Sequence, residues 1–226
     1  TGAHFLDSYD AGFSVLVPYL RSMGVGKIDW VVISHGDNDH IGGFSSLDKY
    51  FKPHKIYTSF DKLIKNNKYA EKCEDGYSWS VDGVNFKIMQ ANKIKVKSRS
   101  KHKSRSKPKP KISRNNRSCV LKITDKANKS ILLTGDIEKP AEDSLISQYG
   151  KELKSDVLVA PHHGSKTSSS YDWIKEVDPK LVIFATGFFN KFGFPHQVVI
   201  DRYKSIGTKL YDVGVLGSFS YKDYLD

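Results

Sequence analysis

Apolar positions recur along this chain in short bursts, and most bursts stop at a knot of polar residues. IDWVVISH (28–35) is apolar and β-branched, which predicts a buried strand ending at His35. KIYTS (55–59) and PKLVIFATG (179–187) read the same way, and SDVLVAPHHGS (155–165) reads as a strand running into a polar corner. GYSWSVDGVNFKIMQA (76–91) predicts a hairpin turning at Asp82-Gly83, and SCVLKITDKANKSILLTGDI (118–137) a second one turning near Lys126–Lys129. Near-helical spacing predicts helices over 13–23 (with Pro18 in the early part), 42–53, 60–73, 140–153, 170–178 and 196–207. The tail beyond them reads as β-rich. Strands alternating with helices predict an α/β layer architecture.

At 226 residues the chain is long enough for one large domain with a real core, and it is treated as a single domain over 1–226. No run of 18 apolar residues occurs, so no stretch is expected to span a bilayer. The opening TGAHFLDSYDAG is not a signal peptide and lacks an initiator Met, which suggests a fragment of something longer. The net charge of +11 has one source. Residues 93–114, KIKVKSRSKHKSRSKPKPKISR, hold 11 Lys/Arg and no acid, leaving 25 basic against 25 acidic residues elsewhere. Self-repulsion and the prolines at 108 and 110 argue for a solvated insertion, His102 included, that meets a polyanion. Cys73 and Cys119 are not spaced as a zinc clip. They are expected to be two free, buried thiols, since a disulfide would need an oxidising compartment.

The chemistry concentrates where strands end. The turn SHGDNDH presents His35, Asp37, Asp39 and His40 within six positions. TGDIE carries Asp136, PHHGS carries His162 and His163, and NNRS spans 115–118. An unpaired ionised group in an interior is costly, so four such clusters at the ends of apolar strands point to one shared site. The bland alternatives are an Asx-rich corner for 35–40, a helix-capping carboxylate for Asp136, and a satisfied histidine pair for 162–163.

In the motif SHGDNDHIGG this chain resembles the metallo-β-lactamase superfamily, whose usual pattern is His-x-His-x-Asp-His. With NNRSCVLKI, LLTGDIE, APHHGSKTSSS and NKFGFPH, in that order, it is similar to the C-terminal β-lactamase-like domain of the ComEC competence DNA-uptake channel family. The resemblance implies a four-layer αββα sandwich with N-terminal strands truncated before Thr1, and a dinuclear centre on its edge. It implies His35 and Asp37 on one metal, Asp39 and His40 on the other, Asp136 bridging, and His162 joining the second. His163 is either a further ligand or a group facing substrate. The usual third-motif histidine has no match, and Asn116 (or Asn115) stands in its place. Phe194 replaces the first histidine of the family's Gly-His-Pro-His, leaving His196 to orient a leaving oxygen or the phosphate. Asp39, His163 and His196 are thus the catalytic candidates. Asn190, Ser165 and Lys166, with Thr167 beside them, are the substrate-binding ones, and Arg117 and Ser118 are structural neighbours.

A ligand set this rich in oxygen implies two divalent ions, Mn²⁺ or Zn²⁺. The implied reaction is phosphodiester hydrolysis of DNA, single-stranded by preference, at an uptake channel. The implied setting is extracytoplasmic (periplasmic), beside a membrane channel domain of the same protein, with no nucleotide cofactor. A DNA-binding or gating module without catalysis is the alternative, and a thioester or lactam hydrolase of the same fold a weaker one.

Overall fold

The computed structural model of the chain describes residues 1–6, 9–94 and 112–221. Nearly all of the basic insertion at 93–114, His102 included, therefore lies outside the described residues. A small antiparallel pair, β1 (His4–Leu6) and β2 (Tyr9–Asp10), comes first. The helix expected over 13–23 is a wider π-type turn, Gly12–Leu16, continuing into α1 (Val17–Ser22), where Pro18 sits in the first turn and needs no N–H partner. The next strand, β3 (Trp30–Ile33), leads through a tight corner into α2 (Asn38–Ile41) and α3 (Phe44–Phe51). Then follow β4 (Lys55–Thr58) and α4 (Asp61–Asn66).

The helix expected over 60–73 stops at Asn66, and its second half is β5 (Ala70–Lys72), parallel to β4. The Asn67 side chain accepts the Tyr69 N–H, and Ala70 is buried beside Ile56, so side-chain capture and sheet pairing override the helical spacing.

Both expected hairpins form. In the first, β6 (Ser78–Val81) pairs antiparallel with β7 (Val84–Met89), and Asp82 and Gly83 both have positive φ, as the two-residue turn demands. In the second, β8 (Val120–Thr124) pairs with β9 (Ser130–Leu133). Beyond it run α5 (Lys139–Tyr149), β10 (Val157–Val159), α6 (Tyr171–Val177), β11 (Leu181–Phe184), α7 (Gln197–Ser205), β12 (Lys209–Asp212) and α8 (Val213–Leu216). The tail is thus less β-rich than its residues suggest.

The strands form a seven-stranded sheet ordered β12-β11-β10-β9-β8-β7-β6 and a three-stranded sheet ordered β3-β4-β5. Alternation along the strands sorts their side chains into layers. Val120, Leu132, Leu158, Val182 and Phe184 face Leu145, Trp173, Ile174 and Tyr203 of the outer helices. On the other face Leu121, Ile88 and Cys119 meet Tyr57 and Cys73 of the small sheet. The back of the small sheet, Ile33, Ile56 and Ala70, is covered by Val17, Phe44, Leu47 and Phe51. Helix, sheet, sheet, helix is the expected sandwich, with the second sheet narrow. No described helix is long and apolar enough to cross a membrane.

The two cysteines are joined, against the expectation of free thiols. Cys73 and Cys119 form a disulfide, Cα atoms 6.0 Å apart, across the layer between the sheets. They follow β5 and precede β8, which no sequence spacing brings together. Loop closure over 46 residues is worth about 4 kcal/mol in the chain-entropy account. Thermal denaturation should therefore show a Tm lower by several degrees for the Cys73→Ser/Cys119→Ser variant than for the oxidised protein.

A second internal tie carries the segment that follows PHHGS. Glu142 on α5 is buried and accepts the main-chain N–H groups of Ser169 and Ser170. Burial pushes its carboxyl up to about 7 from the ordinary 4.5, although those donors favour the ionised form. Between these values the folded chain holds a proton that the unfolded chain has lost, so this group's contribution to stability falls as pH rises from about 4.5 to 7. Glu142→Gln should flatten that part of the pH–Tm profile, and an unchanged slope would refute the assignment.

Candidate metal centre

The cluster forms where β3, β9 and β10 end together. Gly135 follows β9 with φ +55°, and a Cβ there would lie 2.7 Å from Ser34 Cβ and 2.9 Å from Ser118 Cβ. Its bare backbone lets the end of β9 close on the end of β3 and on the residues just before β8. The two serines then set the ring orientations. Ser34 Oγ lies 3.1 Å from His35 Nδ1 and 3.0 Å from His40 Nδ1, and Ser118 Oγ lies 3.3 Å from His35 Nδ1. Ser118 Oγ also accepts the Asp136 N–H at 3.1 Å. His163 Nδ1 donates to the Ala185 carbonyl at 2.8 Å, which leaves its Nε2 with a free lone pair.

With their Nδ1 atoms anchored, these rings point Nε2 at one buried carboxylate. The Asp136 side chain is 6% exposed, and its two oxygens face different partners. Oδ1 lies 3.0 Å from His40 Nε2 and 3.5 Å from His163 Nε2. Oδ2 lies 3.8 Å from both His35 Nε2 and His162 Nε2. Asp39 Oδ2 completes the first group, 3.2 Å from His163 and 3.6 Å from His40. Asp37 Oδ2 completes the second, 3.6 Å from His35. His163, left open as a ligand or a group facing substrate, sits with Asp39 and His40, whereas His162, expected there, shares Asp136 Oδ2 with His35. Alternation of direction through the turn explains it. His162 and His163 both adopt left-handed φ (49° and 55°), so consecutive side chains splay to the two oxygens of Asp136. Two adjacent non-glycine residues in that region store strain, a feature concentrated at working sites.

The donor set fits a bound cation. His35 Nε2, His40 Nε2, Asp136 Oδ1 and His163 Nε2 are buried and make no hydrogen bond. Leaving so many converging polar atoms unpaired costs about 1–3 kcal/mol each, unless an ion is their partner. Ligand atoms of Asp39, His40, Asp136 and His163 lie within 4.8 Å of one another. The charge states of His35, Asp39 and Asp136 suit the role. Burial, and then the neighbouring His40, lower His35 to about 4, so it is a neutral imidazole. Burial opposes ionisation of Asp136, but His40, His163 and His35 together outweigh it and hold the carboxyl below its ordinary value. The His163 ring beside Asp39 holds that carboxyl well below the carboxylate range. Burial resists a charge on His163, yet Asp39 and Asp136 raise it above the ordinary imidazole value.

Other expected site residues lie elsewhere. Asn116 is buried but faces Glu138: its Oδ1 accepts the Glu138 N–H at 2.9 Å, and its amide donates to Ser113 Oγ and Glu138 Oε2. It brings no donor to the cluster. Glu138, unremarked in the sequence, instead reaches within 3.8 Å of His162 Nδ1. Its place two residues beyond Asp136 was the available signal. Arg114, at the end of the basic stretch, lies 3.2 Å from Asp37 Oδ1. Ser165 is turned inward, within reach of Thr167 Oγ1, while Lys166 is exposed on the same turn. Asn190 spends its side chain on the main chain of Phe194. His196 stands just before α7 without capping it and packs edge-on to Phe194, whose ring also contacts His162 and His163. Arg117 lies 3.5 Å from Asp61, away from the cluster.

Comparison with known proteins agrees with this geometry. The family model of the metallo-β-lactamase superfamily matches residues 8–187. Competence protein ComA of Neisseria gonorrhoeae is 32% identical over 206 residues, covering 91% of this chain and 27% of its own length. Recombination protein 2 of Haemophilus influenzae is 33% identical, covering 84% and 22%. ComE operon protein 3 of Bacillus subtilis is 27% identical, covering 95% and 27%. The chain thus spans about a quarter of the length of these relatives. Among solved structures, Igni18, a metallo hydrolase of Ignicoccus hospitalis, superposes with a TM-score of 0.54 at 16% identity, covering 82% of this chain and 76% of its own. The metallo-β-lactamase fold protein YhfI of Bacillus subtilis superposes at 0.53 and 13% identity, covering 91% and 81%. Fold, ordered motifs and converging ligands agree: the chain belongs to the metallo-β-lactamase superfamily.

Proposed function

We propose that this domain is a metal-dependent phosphodiesterase that cuts DNA during its uptake. The observation that carries the proposal is the division of Asp136 between two histidine–aspartate groups, His40/His163/Asp39 on Oδ1 and His35/His162/Asp37 on Oδ2. A carboxylate shared in this way suits a pair of divalent ions. Three aspartates among seven donors make the pair hard enough for Mn²⁺ as well as Zn²⁺. Bound there, such ions supply Lewis-acid activation of water and neutralise charge on a phosphate. The protein's own groups hold and orient. Asp39, 54% exposed, stands at the open side and stays ionised. A carboxylate of such low basicity removes protons poorly, so its part is to hold a cation rather than to act as general base. Lys166, exposed on the turn that carries both histidines, is available to a phosphate oxygen.

DNA as substrate is supported by the competence proteins among the relatives and by the basic stretch beside Arg114. The Cys73–Cys119 disulfide suits an oxidising compartment, so extracytoplasmic placement beside a membrane channel is part of the proposal. One observation favours the second reading, a DNA-binding or gating module without catalysis: Asn116 faces Glu138, so the third-motif stretch adds no ligand.

Metal loading is tested first. Chelated protein titrated with Mn²⁺ or Zn²⁺ should gain thermal stability and approach two ions per chain by elemental analysis, and Asp136→Asn should lose both effects. A wild-type ratio near zero would end the metal assignment. Activity is tested on oligonucleotides with Mn²⁺, using this chain and the full-length protein. Cleavage should fall by at least about 10²-fold in Asp136→Ala. No cleavage by either wild-type form, with salt-dependent binding that survives Asp39→Ala and Asp136→Ala, would replace the enzyme with the binding module. Deletion of 93–114 should then flatten the salt slope.

A further inference from the structure

Three phenylalanines contribute nothing to the core. Phe188, Phe189 and Phe192 are 75%, 90% and 61% exposed. All three lie in TGFFNKFGFPH (186–196), the stretch after β11. Both ends of that stretch are tied to the histidine turn of the metal cluster. Ala185, just before it, accepts the hydrogen bond from His163 Nδ1, and His196, its last residue, donates its main-chain N–H to Gly164 O at 3.0 Å. Between them Asn190 grips Phe194 at both main-chain atoms, 2.8 Å to N and 2.7 Å to O. The loop is thus pinned to the site at both ends.

Those rings extend outward from the ligands. The Phe194 ring is nearly parallel to His163, with centroids 6.3 Å and planes 18° apart. Phe192 is nearly parallel to Phe194, at 5.5 Å and 21°. Lys191 Nζ lies 5.2 Å from the Phe192 ring centre. Phe188 and Phe189 touch each other at 4.2 Å and are open to solvent.

Large rings left in water beside a polar site mark a binding surface. The chemistry narrows the ligand. Flat apolar faces interleaved with a cation, stepping away from a centre suited to phosphate, match an unpaired nucleotide strand: rings for the bases, ammonium for the phosphates. A duplex keeps its base faces inside its own stack and offers the rings nothing. We infer that this loop is a base-stacking platform that makes the centre selective for unpaired DNA. Bases stack on Phe192 and on the Phe188–Phe189 pair while a neighbouring phosphate enters the cluster. The inference rests on the phosphodiesterase reading above and names what that site selects.

The test compares a fluorescent 12-nucleotide dT strand with an abasic strand of equal length and charge, by anisotropy with Ca²⁺ in place of the catalytic metal. Cleavage of both strands with Mn²⁺ is followed separately. Wild-type protein should bind the dT strand roughly tenfold or more tightly than the abasic one. Phe192→Ala and the double variant Phe188→Ala/Phe189→Ala should each lose most of that ratio, with unchanged Tm because the rings are exposed. Equal wild-type affinity for the two strands, or a ratio untouched in the variants, overturns the platform; cleavage of both strands would still leave the phosphodiesterase reading standing. A base preference without any cleavage sinks the enzyme and keeps the platform. Binding to neither strand sinks both. If the variants instead lose binding to phosphatidylglycerol vesicles while the strand ratio stays, the loop is a membrane contact and the platform is wrong.

Discussion

A carboxylate buried among four imidazoles sets the terms for everything around it. Asp136 is nearly sealed from water, and an ionised group in that position is tolerated only if it has polar partners. The sandwich brings them to it from separate places: His35 and His40 after β3, and His162 and His163 after β10. Each of these strands is short, apolar and fixed by the layers on either side, so the corners that follow them are held rigidly. Gly135 allows the corners to meet, and Ser34 and Ser118 then lock the rings that face the carboxylate.

The same constraint explains why the edge of the molecule is chemically divided. Inward from Asp136 the atoms are hydrophobic or hydrogen-bonded, and burial keeps His35 neutral. Outward, Asp39 remains ionised and partly wet. Glu138 adds a further layer of support, held by Asn116 and close to His162.

Much of the site was legible before the fold was known. Histidines and aspartates crowded at the ends of apolar strands have few inexpensive structural uses, and SHGDNDH, TGDIE and PHHGS were readable on that ground. What could not be read was direction. His162 and His163 are neighbours in sequence, and only their left-handed backbone sends them to opposite oxygens of Asp136. Asn116 has the right chemistry for a ligand, but its amide is consumed by Glu138, a partner 22 residues away.

The alternation of strands and helices, both hairpins (the first turning at Asp82-Gly83) and the residues eligible to hold a cation were readable from the chain alone. Those follow from local chemistry: side-chain period, turn conformation, and the cost of burying charge. The tertiary structure alone decided that Cys73 and Cys119 are joined, that 70–72 is a strand, and which histidine faces which oxygen. Each of these depends on contacts between distant segments, whose free energy is absent from any local window of the chain. An isolated segment shows what its residues can do, and packing selects which of those possibilities is realised.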